Sequence, residues 1–258
     1  MTRVAQNRSA AAPDSRNLDD NGELLYGQGL IDRVRELAGD TILLSFSCGK
    51  DSLALWLHLR PHFNIIPYYM WIVPGLRFVE AALEYYEDYF ETEIVRMAHP
   101  LFYDMFTTGV YQPVHRLRII DGLQLPRFDL ADVDNVLAAY YGLDAPFTAI
   151  GFRSADNIQR YRLLRQMGPL GFKRRRWFYG IWDWTVDDVA ECILSHGVKI
   201  APDYRYWGRT IGSISYPEIN GIRAAFPDDF ARIRFWFPLI DAEFYRYEQV
   251  GKGRKDED

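Results

Sequence analysis

Continuous apolar runs alternate with amphipathic stretches from about residue 23 to residue 166. Helical spacing over 23–38 leads into Thr41-Ile42-Leu43-Leu44-Ser45-Phe46-Ser47, a short apolar run that ends in a glycine turn. Ser52 to Leu59 follows, apolar on most faces and stopped by Pro61. A second strand is expected over 65–72, closed by Pro74-Gly75, then a helix over 76–90 and a third strand over 93–98. A helix over 130–142 precedes a strand at 147–152, and another helix runs from Ser154 to Gln166. Continuous rather than alternating apolar strands, separated by helices, indicate parallel pairing through crossover connections. The expected fold class is α/β: an open, mostly parallel Rossmann-like sheet with helices on both faces. Such a sheet holds ligands at the carboxyl ends of its strands, where the strand order reverses.

The rest of the chain reads differently. Residues 173–250 are rich in turns and aromatics and are expected to form a mostly helical C-terminal part packed on the ligand end of the sheet. Residues 1–20 and 251–258 are small, polar and aperiodic, the pattern of flexible tails.

Composition narrows the function classes. With 48% hydrophobic and 25% charged residues, the 258-residue chain has the balance of an ordinary globular domain. Its net charge of −5 argues against a wholly basic, nucleic-acid-coating protein but leaves a local basic patch open. Aromatic residues make up 16%, most simply as core filling. The two cysteines, Cys48 and Cys192, are too few for a disulfide framework, a four-thiolate iron–sulfur cluster or a Cys-rich zinc site. No signal-peptide core and no membrane-length apolar run is visible, so a cytoplasmic chain without a membrane segment is expected.

The chemistry is expected between the first strand and the helix after it, in Ser45-Phe46-Ser47-Cys48-Gly49-Lys50-Asp51-Ser52. A helix start offers unpaired N–H groups and a positive dipole end, Gly49 allows close backbone approach, and the hydroxyls of Ser45, Ser47 and Ser52 add donors. Lys50 and Asp51 are the catalytic candidates: Lys50 can neutralise phosphate oxygens, and Asp51 can orient the loop or a Mg²⁺ hydration shell. Two commoner phosphate loops are excluded. A Walker A loop would need Gly at position 44, which is Leu, and Ser or Thr at 51, which is Asp; GxGxxG is absent. The ordinary alternative is a plain strand-to-helix turn with Asp51 or Ser52 as N-cap.

Phe46-Ser47-Cys48-Gly49-Lys50-Asp51-Ser52 resembles the SFSGGKDS loop of the phosphoadenosine phosphosulfate reductase-like branch of the PP-loop ATP pyrophosphatase superfamily, with Cys48 in place of its first Gly. Four further segments agree in order. Gly75-Leu76-Arg77-Phe78-Val79-Glu80 is similar to the family's D-T-G-x-x-F-P-E stretch, and Gly151-Phe152-Arg153-Ser154-Ala155-Asp156 to its G-x-R-x-x-E turn. Ile181-Trp182-Asp183-Trp184-Thr185-Val186-Asp187-Asp188-Val189 resembles P-I-x-D-W-x-x-x-D-V, and Tyr206-Trp207-Gly208-Arg209-Thr210-Ile211-Gly212 resembles Y-x-x-G-x-x-x-I-G. The resemblance implies a PP-loop domain over 21–172 that binds ATP or a related adenine nucleotide with Mg²⁺. It adds Cys48, Gly49, Gly75, Gly151 and Arg153 to the nucleotide contacts. Arg160, and the run Lys173-Arg174-Arg175-Arg176 beside Trp177-Phe178-Tyr179, are candidate anion contacts; surface ion pairs and a solvated charge run are their ordinary readings.

Departures from the family pattern bear on activity. Its cysteine pair after the I-G turn is replaced by Ser213-Ile214-Ser215, and no cysteine follows Cys192. Serine cannot take up the sulfonyl group in the reductases' redox step. Cys48 reads as a small loop-filling residue in preference to a reactive thiol, and Cys192 as a helix core position. The family's Asp-Thr before the strand-two Gly is Val73-Pro74 here. What remains implied is an enzyme that adenylates an unknown acceptor with release of pyrophosphate. Two alternatives stay open: a sulfonucleotide reductase or sulfurtransferase-like activity using a partner's thiols, and a nucleotide-binding sensor or assembly subunit. Cysteine-free members of this branch occur in phages and mobile elements beside ParB- or sulfiredoxin-like proteins. The resemblance thus implies such a partner, or nucleic acid, and leaves oligomer formation open. His58 and His62 are separated by Pro61 and make a poor metal pair, and His115 lies in a stretch without a clear period.

Overall fold

The computed structural model describes residues 14–171, 175–208 and 210–253. Its strands are β1 (Thr41–Ser45), β2 (Asn64–Trp71), β3 (Val95–Ala98), β4 (Thr148–Ile150) and β5 (Trp177–Phe178). They form one parallel sheet in the order β3-β2-β1-β4-β5. The helices are α1 (Gly27–Ala38), α2 (Lys50–Leu59), α3 (Arg77–Phe90), α4 (Pro100–Thr107), α5 (Val114–Gly122) and α6 (Leu130–Tyr140). They continue with α7 (Ile158–Met167), α8 (Val186–Ser195), α9 (Tyr204–Trp207), α10 (Tyr216–Ala225), α11 (Pro227–Trp236) and α12 (Asp241–Gly253). The expected α/β class is the one observed, and the sheet is wholly parallel. From β1 the chain steps outward through β2 and β3, then returns to place β4 and β5 on the other side. The strand order therefore reverses between β1 and β4.

The chain divides into two compact units that do not follow the expected boundary at 172/173. One comprises the chain up to Phe46, Lys50–Pro67 and Asp134–Val198; the other comprises Ser47–Gly49, Tyr68–Val133 and Lys199 onward.

In the first unit, Ile42, Leu43 and Leu44 of β1 are fully buried, as a continuous apolar run at the sheet centre requires. Helix α2 is buried from Ser52 through Leu57 and again at Leu59, so it is apolar all round because it is covered all round. Cys192 on α8 lies against it, with Sγ 3.8 Å from the Ala54 carbonyl. Helix α8 starts in a capping box: Thr185 Oγ1 accepts from Asp188 N, and the Asp188 carboxylate accepts from Thr185 N. Those backbone and hydroxyl donors hold the Asp188 carboxyl below its usual range. Residues 14–20 correct the expected tail. They include a 3-10 turn at Ser15–Asn17, and the fully buried Asn17 accepts from Leu170 N through Oδ1 at 2.6 Å. A second correction is β5, a strand in the segment expected to be helical; two residues are too few to produce a readable period.

In the second unit, β2 pairs with β3 from Tyr68↔Val95 to Trp71↔Ala98. That ladder begins one residue after Pro67, so the missing proline N–H does not interrupt it. Helix α3 has no side-chain cap of its own. The Asp229 carboxylate on α11 caps it instead, accepting from Arg77 N at 2.6 Å and Phe78 N at 3.2 Å. Val114–Gly122, unplaced from the sequence, is helix α5, and His115 lies on it. Among the described residues no helix is long and apolar enough to cross a membrane.

Candidate functional site

The loop 46–49 leaves β1 at its carboxyl end and enters α2 at Lys50. The β1–β4 register, Leu43↔Thr148 to Ser45↔Ile150, brings the end of β4 level with Ser45. Gly151 therefore follows β4 directly against the first turn of α2. A Cβ there would stand 2.7 Å from Ser52 N and 2.9 Å from the Asp51 carbonyl carbon, distances no backbone tolerates. Gly151 is thus a close-packing glycine, and Ser52 beside it is buried. These two expected contacts build the support of the loop.

Cys48 has φ 58°, a left-handed conformation that costs an L-residue about 1–2 kcal/mol. The resembled loop has glycine there, which adopts it freely. The Cys48 side chain is buried, and its thiol is pushed well above its usual value, first by burial and then by Asp203. That environment opposes thiolate formation and fits the loop-filling reading. At Gly49, an added Cβ would stand 3.1 Å from Ser47 Oγ, 3.5 Å from the Tyr204 hydroxyl and 3.6 Å from Thr210 Oγ1. Ser47 Oγ also accepts from Gly49 N at 3.4 Å. Three hydroxyls thus converge on one backbone turn.

Lys50 and Asp51 open α2 as an ion pair, with Nζ 2.8 and 2.9 Å from the two carboxylate oxygens. Asp51 Oδ1 also lies 2.8 Å from Arg153 Nε, an ion pair whose angle is not that of a hydrogen bond. Arg153 Nη2 donates to Asp156 Oδ1 at 2.6 Å, and its Nη1 is 3.5 Å from the Trp184 carbonyl. Asp156 in turn pairs with Arg160, whose guanidinium lies over the Phe152 ring at 4.4 Å. Arg153 is only 2% exposed and adds a bracing role to the nucleotide contact expected of it. Its donors face two carboxylates and a carbonyl, so it braces Asp51. Three cations and two carboxylates leave this chain of pairs one positive charge in excess.

The described part of the basic run, Arg175 and Arg176, lies elsewhere in the same unit. Lys173 and Arg174 fall outside the described residues. Arg175 stacks over Trp177 at 4.6 Å and Arg176 over Phe147 at 4.5 Å. Arg176 donates to the Leu37 carbonyl, and its own carbonyl accepts from Thr148 N, the first residue of β4. Since Thr148 pairs with Trp177, both arginines sit at the amino end of β4 and β5. The loop leaves the opposite, carboxyl end of the parallel sheet. Arg175 and Arg176 are therefore not anion contacts of the loop, and cation–π packing accounts for the aromatic company that suggested them.

In the second unit, Gly75 supplies φ 72° for the turn after β2, with Arg232 Nη1 3.1 Å from where its Cβ would be. Ser47 and Cys48 help to line a cleft of about 210 Å³ whose core holds one water-sized group, about 10 Å³. Asp203 is in its wall and was not singled out from the sequence; the signal was a Pro-Asp pair just before the Tyr206–Gly212 turn. Asp203 is 3% exposed, and burial raises its carboxyl to about 6. Ser213, where the resembled pattern has a cysteine, contacts Glu218 Oε2 at 2.5 Å and Ser215 Oγ at 2.9 Å. No three His, Cys, Asp or Glu side chains among the described residues group to hold a metal ion. Asp51, the expected Mg²⁺ contact, is committed to two cations and fits that role poorly.

No protein-family model matches the chain, and no curated protein sequence matches it either.

Proposed function

We propose that this chain binds ATP or a related adenine nucleotide through residues 47–52 and transfers the adenylyl group to an acceptor. It would do so as a PP-loop enzyme related to the phosphoadenosine phosphosulfate reductases but without their thiol chemistry. The observation that carries the proposal is the position of the Ser47–Ser52 loop. It joins the central strand to a buried helix at the point where the strand order reverses, which is where open parallel sheets take ligands. An acceptor oxygen would attack the α-phosphorus, forming one P–O bond while the α–β bridging bond breaks and pyrophosphate leaves. Catalysis of that kind is positioning and charge neutralisation. Lys50 directly follows the loop in the chain and pairs with Asp51, which would orient it, and Arg153 pairs with Asp51 in turn. Mg²⁺ would arrive with the nucleotide phosphates.

Two observations weigh against reduction of a sulfonucleotide: serines at 213 and 215, and a Cys48 thiol held protonated by burial. The acceptor, and any ParB- or sulfiredoxin-like or nucleic-acid partner, rest on the resemblance alone.

The test is incubation of the pure chain with α-labelled ATP and Mg²⁺, and separately with phosphoadenosine phosphosulfate and a dithiol. Pyrophosphate release with candidate acceptors supports adenylyl transfer, and Lys50→Ala should abolish it. Sulfite release would overturn the argument from the missing cysteines. Tight binding without turnover across an acceptor panel points to a sensor, and unaltered ATP affinity in both Lys50→Ala and Asp51→Ala rejects the site.

A further inference from the structure

We infer that Asp203 reads the 6-amino group of a bound adenine and sets the base preference of the nucleotide site; this rests on the nucleotide reading of the loop above. Asp203 is 97% buried; its Oδ2 accepts from Ile211 N at 3.3 Å, and the backbone N–H groups of Asp203 and Tyr204 also face its carboxyl. Oδ1 has no hydrogen-bond partner. A buried carboxylate oxygen left without a donor is costly, so the position favours any ligand that brings one.

The cleft that Asp203 lines also contains Ser47 and Cys48, so it opens from the proposed phosphate loop itself. Its core has room for about one water-sized group, near the lower limit for holding a single water. That size suits an amino substituent and excludes a whole ring. Phe78, Val79 and Ala82 line that same small space and are themselves buried, so only the amino group enters it. The chemistry then discriminates among purines. Adenine presents an N–H donor at position 6, whereas guanine and hypoxanthine present an oxygen, which a carboxylate oxygen repels. Protonated or ionised, Asp203 keeps an acceptor oxygen for the amino group.

The experiment is calorimetric titration of the full chain with ATP, purine riboside triphosphate (hydrogen at position 6) and inosine triphosphate (oxygen at position 6). ATP should bind about tenfold or more tightly than the purine riboside compound, the ratio of a charge-assisted hydrogen bond, and the inosine compound weakest. In Asp203→Ala, ATP should fall to the level of purine riboside triphosphate, whose own affinity stays unchanged. Equal affinity of the unmodified chain for ATP and purine riboside triphosphate overturns the role of Asp203 and leaves the nucleotide site standing. So does an undiminished ATP preference in folded Asp203→Ala. Failure of all three to bind removes the nucleotide reading, and this inference with it. The analogue series needs no variant, so misfolding of Asp203→Ala does not remove the test.

Discussion

Replacing Arg153 with methionine removes a cation that touches both Asp51 and Asp156 while keeping most of the buried volume. Loss of one partner from a buried ion pair generally costs about 3–5 kcal/mol, because a charge is left desolvated and unpaired. Here each carboxylate keeps a second cation, Lys50 for Asp51 and Arg160 for Asp156, and the two are 22% and 15% exposed. Those remaining partners and that exposure reduce the loss to roughly 2–3 kcal/mol. Arg160→Met is the control: its guanidinium is 39% exposed, and its removal should cost under about 1 kcal/mol. Urea unfolding followed by tryptophan fluorescence measures both, provided the slope with denaturant is unchanged. Arg153→Lys should recover less than half of the loss, since an ammonium cannot span two carboxylates as a guanidinium fork does. Equal losses for Arg153→Met and Arg160→Met would refute the brace. ATP affinity gives an independent check: Arg153→Met should weaken it through Asp51 and Lys50, and Arg160→Met should leave it nearly unchanged.

Gly151→Ala should destabilise by about 1–3 kcal/mol, because its Cβ meets the backbone of Asp51 and Ser52; a stability loss below that range by the same urea assay contradicts the packing. At position 48 the usual order of alanine above glycine should vanish or invert. The left-handed conformation costs alanine about 1–2 kcal/mol, and glycine's greater chain entropy costs only about 0.5–1 kcal/mol. Cys48→Gly is then at least as stable as Cys48→Ala, and a clearly more stable Ala variant shows that φ is not positive. The Asp203 carboxyl titrates near 3.8 when unfolded and at about 6 when folded, so the folded chain holds the extra proton and stability falls as pH rises through that window. Asp203→Asn should gain on the parent chain by up to about 3 kcal/mol between pH 4 and pH 7; a difference flat with pH counts against the raised value.

How much of this was readable from the chain depended on whether a residue's role is local. The run Ile42–Leu44 and the helix from Ser52 to Leu59 announce themselves, because strands and helices buried on every side are apolar on every side. The turn between them carries its own glycine. By contrast, α4 and α5 are short, and Val114, Ile119 and Leu123 stand exposed, so hydrophobic spacing there does not report burial. Arg153 shows what the sequence could not reveal. An arginine after a strand looks like an outward contact, and only the neighbouring carboxylates of Asp51 and Asp156 turn it inward. Arg175 and Arg176 misled for the opposite reason. Their charge suggested an anion, while the Trp177 and Phe147 rings supply the contacts, and the register of β4 with β5 puts them at the amino end of the strands.

Strain alone does not mark the cleft. Cys48 shares its positive φ with Glu91, Tyr111, Gln124 and Ala145, and Glu91 has a plain structural reason as the cap of α3. What distinguishes Cys48 is company: it lines the same small space as Asp203, whose Oδ1 is buried without a donor. A left-handed cysteine and an unsatisfied carboxylate oxygen are each unfavourable by about 1–3 kcal/mol, and a glycine and an alanine would relieve them. Two such features in one cleft are what a site under functional constraint looks like, since stability is sacrificed there and recovered elsewhere. If so, Cys48→Gly and Asp203→Ala together should give a more stable chain at pH 7 that has lost its preference for ATP over purine riboside triphosphate. A double variant that is more stable and still discriminates would separate the two observations, leaving Asp203 a tolerated defect of the fold.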